Sequence, residues 1–343
     1  MAYTLISGIE IIGLAAAISA AGDHGISTVN NRQNKAQATG QQTTSDLGFD
    51  AAQAIFKKFD IDLNDVGILL FVSRTYDYLG PVTAAVLQHR LGIPTSCIAF
   101  DIPLGTTGLV QGLLVASAQL KNINRPLALV IVGDTNTRLM SPDNELFPNM
   151  GDGAAAFLLK KSVCKTVLEF ETVTESSHFG AIIYPGGGFR LKEGGSVARK
   201  DFGINFSDPS SLLIEMEALK YFLTNTLPQY WQNSQILVGL LQNPKASFLS
   251  QVNELGLVTI NDESFRHFSQ VPYLANRFFS AAMLPIQICS GLWESEDSIS
   301  VAGITSGEGF SVAFIKFYIS TEAIVPLIFS QTIFEGAWVP SDF

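Results

Sequence analysis

Two stretches of this chain read as variants of one another: MGDGAAAFLLKK, from Met150 to Lys161, and SGEGFSVAFIKF, from Ser306 to Phe317. Each runs from a small or apolar residue through Gly, an acidic residue and Gly into an apolar strand that carries Lys at its end. Each also follows an apolar strand, LALVIVGD in the first case and SISVAGIT in the second. A spacing of about 155 residues is far longer than the unit of a solenoid, so the pattern signifies a duplicated domain. The 343 residues, 47% of them apolar, are enough for two such halves around large cores. The reading divides the chain into a first half over 1–161, a second half over 162–319 and an apolar tail over 320–343.

Within the first half the elements alternate. VGILLFVS is apolar along its whole length and predicts a buried strand. PVTAAVLQHRLG, which opens on Pro and stops on Gly, predicts a helix. SCIAFDIP (strand), TTGLVQGLLVASAQLKN (helix) and LALVIVGDTN (strand) follow. Uniformly apolar strands separated by helices predict a parallel sheet covered on both faces, an α/β architecture. Upstream, SDLGFDAAQAIFKKFDI predicts another helix with Ser45 as its cap. LISGIEIIGLAAAISAAG predicts a strand followed by a helix; no basic residue precedes it and Glu10 interrupts it, so it is not read as a secretory signal. The second half repeats the grammar: SLLIEMEALKYFLTNTL, KASFLSQVNELG and FFSAAMLPIQICSGLW as helices, QILVGLL and SISVAGIT as strands.

Composition narrows the function classes. A net charge of -10 without a basic cluster gives no electrostatic footprint for nucleic acid or an anionic membrane. No uninterrupted apolar run reaches the length of a membrane span. Cys97, Cys164 and Cys289 are odd in number, lack metal-ligand spacing and sit in apolar contexts, as buried free thiols of a reducing cytoplasm do. No metal site is expected. The glycine-rich YPGGGFRLKEGG, from Tyr184 to Gly195, lacks the residues of a phosphate loop and reads as a surface loop. Gly151, Asp152 and Gly153, with their echo Gly307, Glu308 and Gly309, read as turn geometry between strands, where glycine permits positive φ and close backbone approach.

The order of FDIPLGTTGLVQGLLVASAQL and GDGAAAFLL in a duplicated chain of this length resembles the β-ketoacyl-acyl-carrier-protein synthase III group of the thiolase superfamily. DYLGPVTAAVLQHRLG, AFDI and MGDGAAA carry the likeness in the first half; it is weaker in the second. The resemblance implies a thiolase-like fold of two βαβαβαββ halves in a layered αβαβα arrangement. It also implies that the turn after FDI carries a nucleophilic cysteine, whose thiolate a helix N-terminus stabilises.

Counted without gaps, that cysteine position holds Thr106, the family's histidine position Leu241 and its asparagine position Phe278. A shift of one or two residues would bring in Asn243 or Asn276, neither of them a base. His267 is the one histidine in a region expected to approach Thr106, and so a candidate replacement base; His89 reads as a solvated helix face, and His24 and His178 as loop residues. The family's grip on coenzyme A falls on Gly25 and Val29, with Arg32 nearby as a candidate phosphate contact.

The expectation is therefore a 3-oxoacyl-acyl-carrier-protein synthase III-like protein of fatty-acid or polyketide-type metabolism that has abandoned condensation. It would act as a homodimer or as the partner of an active ketosynthase. Acyl carrier protein is a candidate partner, acyl-CoA or acyl-ACP a candidate substrate, and no cofactor is required. The alternative is an active acyltransferase or condensing enzyme in which the Thr106 hydroxyl replaces the cysteine, which needs an adjacent base.

Overall fold

The computed structural model describes residues 2–20, 36–38, 41–140, 142, 147, 150–163, 166–174, 176, 182–183, 205–206, 235–236, 279–291, 293, 297–307 and 311–335. The elements run β1 (Ala2–Ser7), β2 (Ile9–Ser19), α1 (Thr44–Phe59), β3 (Val66–Val72), α2 (Thr83–Leu91), β4 (Ile98–Ile102), α3 (Gly108–Leu120), β5 (Leu127–Thr135), β6 (Asp152–Lys161) and β7 (Val167–Thr174). After the short pair β8 (Ile182–Ile183) and β9 (Asn205–Phe206) come β10 (Gln235–Ile236), α4 (Met283–Ser290), β11 (Ser298–Gly307), β12 (Ser311–Ser320) and β13 (Ile328–Ser330).

One sheet has the order β13-β2-β6-β5-β3-β4, and the other β1-β7-β12-β11-β10. In the first, β4, β3 and β5 are parallel, as their uniform apolarity predicts. Strand alternation sends their side chains into two cores. Leu69 and Phe71 of β3 join Leu129 and Ile131 of β5 beneath α1 and α2. Ile68, Leu70, Val72, Val130 and Val132 face α3 and α4, and across those helices the second sheet supplies Phe170, Val301, Ile315 and Phe317. The described residues thus stack as helices, sheet, helices, sheet, the order of a thiolase-like fold.

The chain passes between the sheets at matching points. Gly8, at φ +76°, separates β1 of the second sheet from β2 of the first, and Ser162 between β6 and β7 donates its backbone N–H to the Gly8 carbonyl at 3.0 Å. The helix predicted in the alanine-rich segment before residue 20 is replaced by β2 up to Ser19. Leu14 to Ile18 are fully buried between α1 on one face and α4 on the other. Small side chains there let helices approach closely: a Cβ on Gly13 would stand 2.7 Å from Cγ2 of Ile55. Burial on both faces overrides the helix propensity of alanine.

Helix α1 is capped at Thr43 rather than Ser45. The Asp46 carboxylate accepts the Thr43 N–H at 2.9 Å, and Ser45 lies inside the first turn, where its hydroxyl donates to Asp77 at 2.7 Å. Helix α2 spans the predicted segment and ends at Gly92 with φ +70°. Its first N–H groups, of Thr83 and Ala84, are each bound at 2.7 Å by the carboxylate of Asp101 on β4, so the FDI motif fastens a helix as well as closing a strand. Cys97 and Cys289 are buried free thiols, and burial pushes the Cys97 thiol up to about 11. Cys164 lies outside the described residues.

The tail adds β13 parallel to β2, at the edge of the first sheet opposite β4. Its Phe334 and Phe49 of α1 sandwich the Arg90 guanidinium at 4.4 and 4.5 Å, and Arg90 also pairs with Asp46 at 2.9 Å. The Phe334 N–H donates to Asp46 at 3.1 Å and the Thr332 hydroxyl to Asp50 at 2.8 Å. The tail is thereby bound to the first half through β2, α1 and α2.

At the centre of the first sheet, β5 and β6 pass so closely that a Cβ on Gly133 would stand 2.4 Å from the Gly153 carbonyl oxygen. Backbone cannot yield as a side chain can. Gly133→Ala is expected to destabilise the fold by about 1–3 kcal/mol or more, read as a lower urea midpoint. An unchanged midpoint would show that the two strands separate at little cost.

Candidate functional site

Three parallel strands end on the same side of the first sheet, where α/β folds open their crevices. Beyond β3 lie Ser73 and Arg74, beyond β4 Gly105 and Thr106, and at the end of β5 Asp134, Thr135 and then Asn136. The turn before α4 brings in Ser280 from the second half, held at φ +51°, a strained conformation for a residue with a side chain.

Asp134 is the centre of this group and has no exposure to solvent. Its carboxylate accepts the Arg74 N–H at 2.7 Å, the Ser73 hydroxyl at 2.9 Å and the Thr75 hydroxyl at 3.4 Å, together with the Ser280 hydroxyl. Arg74 Nη2 lies 3.4 Å from Asp134, 3.2 Å from Oδ1 of Asn136 and 3.1 Å from the Ser280 hydroxyl. The Arg74 guanidinium also packs on Gly105, where a Cβ would stand 2.5 Å from Nε and 2.8 Å from Cζ. Glycine is required there because the cation occupies the space.

Thr106 follows directly, just ahead of Thr107, the N-cap of the 13-residue α3. It has no exposure, and its hydroxyl has no hydrogen-bond partner among the described residues. Thr106 is the predicted site residue that the structure places, and it stands where the sequence put it, on the turn from β4 into α3. Leu241, Phe278, His267 and Arg32, with His24, His178, Asn243, Asn276, Gly25 and Val29, lie outside the described residues. His89 is exposed on α2. The sequence reading passed over Arg74, Asp134, Asn136 and Ser280. Arg74 had a signal, a charge set immediately beyond a fully apolar strand.

The GDG motif keeps the close approach predicted for it but not the positive φ. Gly151 and Gly153 have no positive φ, and Asp152 is the first residue of β6. What the glycines supply is proximity: a Cβ on Gly151 would stand 2.4 Å from the Phe279 ring and one on Gly153 2.8 Å from Ile286. Asp152 is fully buried and accepts the N–H groups of Ala38 at 2.7 Å and Thr137 at 2.9 Å, fastening two loops. Gly307 ends β11, while Glu308 and Gly309 lie outside the described residues. Among the described residues no three His, Cys, Asp or Glu side chains are grouped to hold a metal ion, and no helix is long and apolar enough to cross a membrane.

Comparison with known proteins agrees with this frame. The sequence model of the 3-oxoacyl-[acyl-carrier-protein] synthase III family matches residues 100–176, from the FDI turn to just past β7. The β-ketoacyl-[acyl-carrier-protein] synthase III of Neisseria gonorrhoeae is 29% identical over 150 residues, 43% of this chain and 47% of that protein. A relative from Campylobacter jejuni is 32% identical over 148 residues, 43% of this chain and 41% of its own length. The chain therefore spans less than half the length of these curated relatives. In fold the likeness extends further. The structure of a 3-oxoacyl-(acyl-carrier protein) synthase from Burkholderia xenovorans aligns with a TM-score of 0.77 at 20% identity, covering 96% of this chain and 99% of that one. OleA from Xanthomonas campestris aligns at 0.66 and 18%, covering 92% and 99%. The likeness to these synthases is thus one of sequence over residues 100–176 and of fold, thiolase-like, over nearly the whole chain.

Two outcomes follow for the buried carboxylates. Asp134→Ala leaves the Arg74 charge without its carboxylate and is expected to cost about 3 kcal/mol or more in urea unfolding, with part of the loss recovered by the double variant Arg74→Met/Asp134→Ala. No recovery would mean that the hydroxyl contacts outweigh the ion pair. For Asp152, burial raises the carboxyl above its ordinary value, against the donors of Thr137 and Ala38 and the Arg138 charge. The folded chain then keeps this proton to higher pH than the unfolded chain. Its stabilising contribution is largest at acid pH and falls as pH rises from near 3.8 through the raised folded value. Asp152→Asn should flatten that slope; parallel stability curves for the two proteins between pH 4 and 7 would contradict it.

Proposed function

We propose that this protein is a non-condensing member of the 3-oxoacyl-acyl-carrier-protein synthase III-like group, working beside an active synthase in fatty-acid or polyketide-type metabolism. The observation that carries the proposal is the Thr106 hydroxyl, buried at the start of α3 with no base bonded to it among the described residues. A hydroxyl loses its proton far above neutral pH, so attack on a thioester needs a base within hydrogen-bond reach. The carboxylate of the described site, Asp134, is occupied by donors from Ser73, Arg74, Thr75 and Ser280 and does not serve as that base.

A partner role has a surface to support it. Among the described residues strand β4 is the outer edge of the first sheet, Ile98 on it is 45% exposed, and Leu79 and Val82, just ahead of the α2 start that Asp101 of β4 holds, are exposed as well. An unpaired edge strand presents a ladder of backbone donors and acceptors on which a second subunit can continue the sheet. The tail binds the opposite edge and leaves β4 uncovered by it. We propose that a second copy, or the active synthase, pairs there, and that acyl carrier protein serves the assembly.

Intact-mass measurement after incubation with acyl-CoA and acyl-ACP donors is expected to show no adduct on the wild type. An adduct that vanishes in Thr106→Ala would overturn the proposal and make Thr106 an acylated nucleophile. Ile98→Lys is expected to shift the assembled species towards monomer in sedimentation; an unchanged distribution would remove β4 as the contact.

A further inference from the structure

We propose that Asp77 is a pH-sensitive latch: as a neutral carboxyl it holds residues 76–82 against α1 and α2, and as a carboxylate it lets that segment go. The inference goes beyond the partner role and beyond Thr106, since it concerns a contact of the chain with itself.

The segment hangs between two fixed points. At one end the Thr75 hydroxyl meets that of Thr44 at 2.7 Å, and at the other the N–H groups of Thr83 and Ala84 are bound by Asp101. Between them Tyr76, Leu79 and Val82 are exposed, Leu79 at 77%. Asp77 turns inward instead. One oxygen of its carboxyl group, Oδ2, accepts the Ser45 hydroxyl of α1 at 2.7 Å, and its N–H donates to the Thr83 hydroxyl of α2 at 3.0 Å. The other oxygen, Oδ1, is sealed from solvent and has no hydrogen-bond partner among the described residues. An ionised carboxylate in that position has lost water without gaining a donor, a cost that falls on the charged form far more than on the neutral one.

The charges that face Asp77 do not relieve this. Arg90 of α2 is already committed: Nη2 pairs with Asp46 at 2.9 Å, Nη1 donates to the Ser45 hydroxyl at 3.0 Å, and the rings of Phe49 and Phe334 lie over it. Its contact with Asp77 therefore runs through the Ser45 hydroxyl. Asp46 of α1, buried as well, presents a like charge, so one guanidinium serves two carboxyl groups. Thr83 stands between Asp77 and Asp101 of β4: its hydroxyl accepts from the first and its N–H donates to the second. Burial is the largest influence on Asp77 and raises its carboxyl above the ordinary value; Asp46 acts in the same direction, and the Ser45 and Thr43 hydroxyls and the Arg90 charge oppose it.

The closed segment thus binds this proton more tightly than the released one. Its attachment is fully present below 3.8, the ordinary value, and is lost as pH rises through the raised one. Release reaches the candidate site, because the Thr75 hydroxyl at the root of the segment donates to Asp134 at 3.4 Å.

Amide hydrogen exchange on the whole chain tests the latch, each rate divided by the intrinsic rate at the same pH. Between about pH 4.5 and 7.5 the protection of the Asp77 amide is expected to fall about ten-fold or more while that of β5 stays level. Asp77→Asn, neutral throughout, is expected to keep the protection high and flat. Ser45→Ala, which removes the hydroxyl between Arg90 and Asp77, is expected to leave the amide poorly protected at both ends of the range. A level profile in the wild type overturns the proposal, and so does a slope that survives in Asp77→Asn, which would make Asp101 the titrating group. Full protection in Ser45→Ala, or an equal loss of protection in β5, overturns it as well, the first because the latch would not run through Ser45 and the second because the opening would be global.

Discussion

A carboxylate sealed from water must be surrounded by donors, and Asp134 draws them from both halves of the molecule. Ser73, Arg74 and Thr75 come from the end of β3, and Ser280 from the turn that leads into α4. Buried ionised groups persist only when paired and hydrogen-bonded. The termini of β3 and β5 and the start of α4 are therefore fixed relative to one another. The strained φ of Ser280 is what such a fixed contact can hold. Because the Arg74 guanidinium in turn rests on Gly105, the same network sets the floor beneath Thr106.

Close backbone approach complements this polar centre. Gly13 admits Ile55, Gly133 lies against Gly153 and Ala154, and Gly151 and Gly153 receive Phe279 and Ile286. These contacts bring α1 and α4 onto opposite faces of a sheet whose middle strands are fully buried. Layers that interlock through missing side chains cannot be re-spaced one at a time, since interiors are packed to crystal-like density. The result is a rigid platform that carries the turn after β4 on its carboxyl side.

At that turn, chemistry and architecture diverge. The helix N-terminus and the burial suit the stabilisation of negative charge, while the residue supplied is a hydroxyl.

Much of the frame was legible in the chain itself. Uniformly apolar strands, a helix bounded by Pro81 and Gly92, and the echo at Met150 and Ser306 follow from period and turn chemistry, which are local. The turn that presents Thr106 was legible for the same reason. The alanine-rich segment before residue 20 was misread because propensity favours a helix there, and only the helices packed on both its faces make it a strand. Thr43 took the cap from Ser45 once Ser45 was drawn to Asp77. The cluster of Arg74, Asp134, Asn136 and Ser280 joins positions up to 206 residues apart, and no spacing along the chain reports it. The sequence by itself determined the duplicated, layered α/β frame and the place of the turn. Only the tertiary structure decided which charge stands beside Thr106, because a buried charge is placed by partners that folding assembles from distant strand ends.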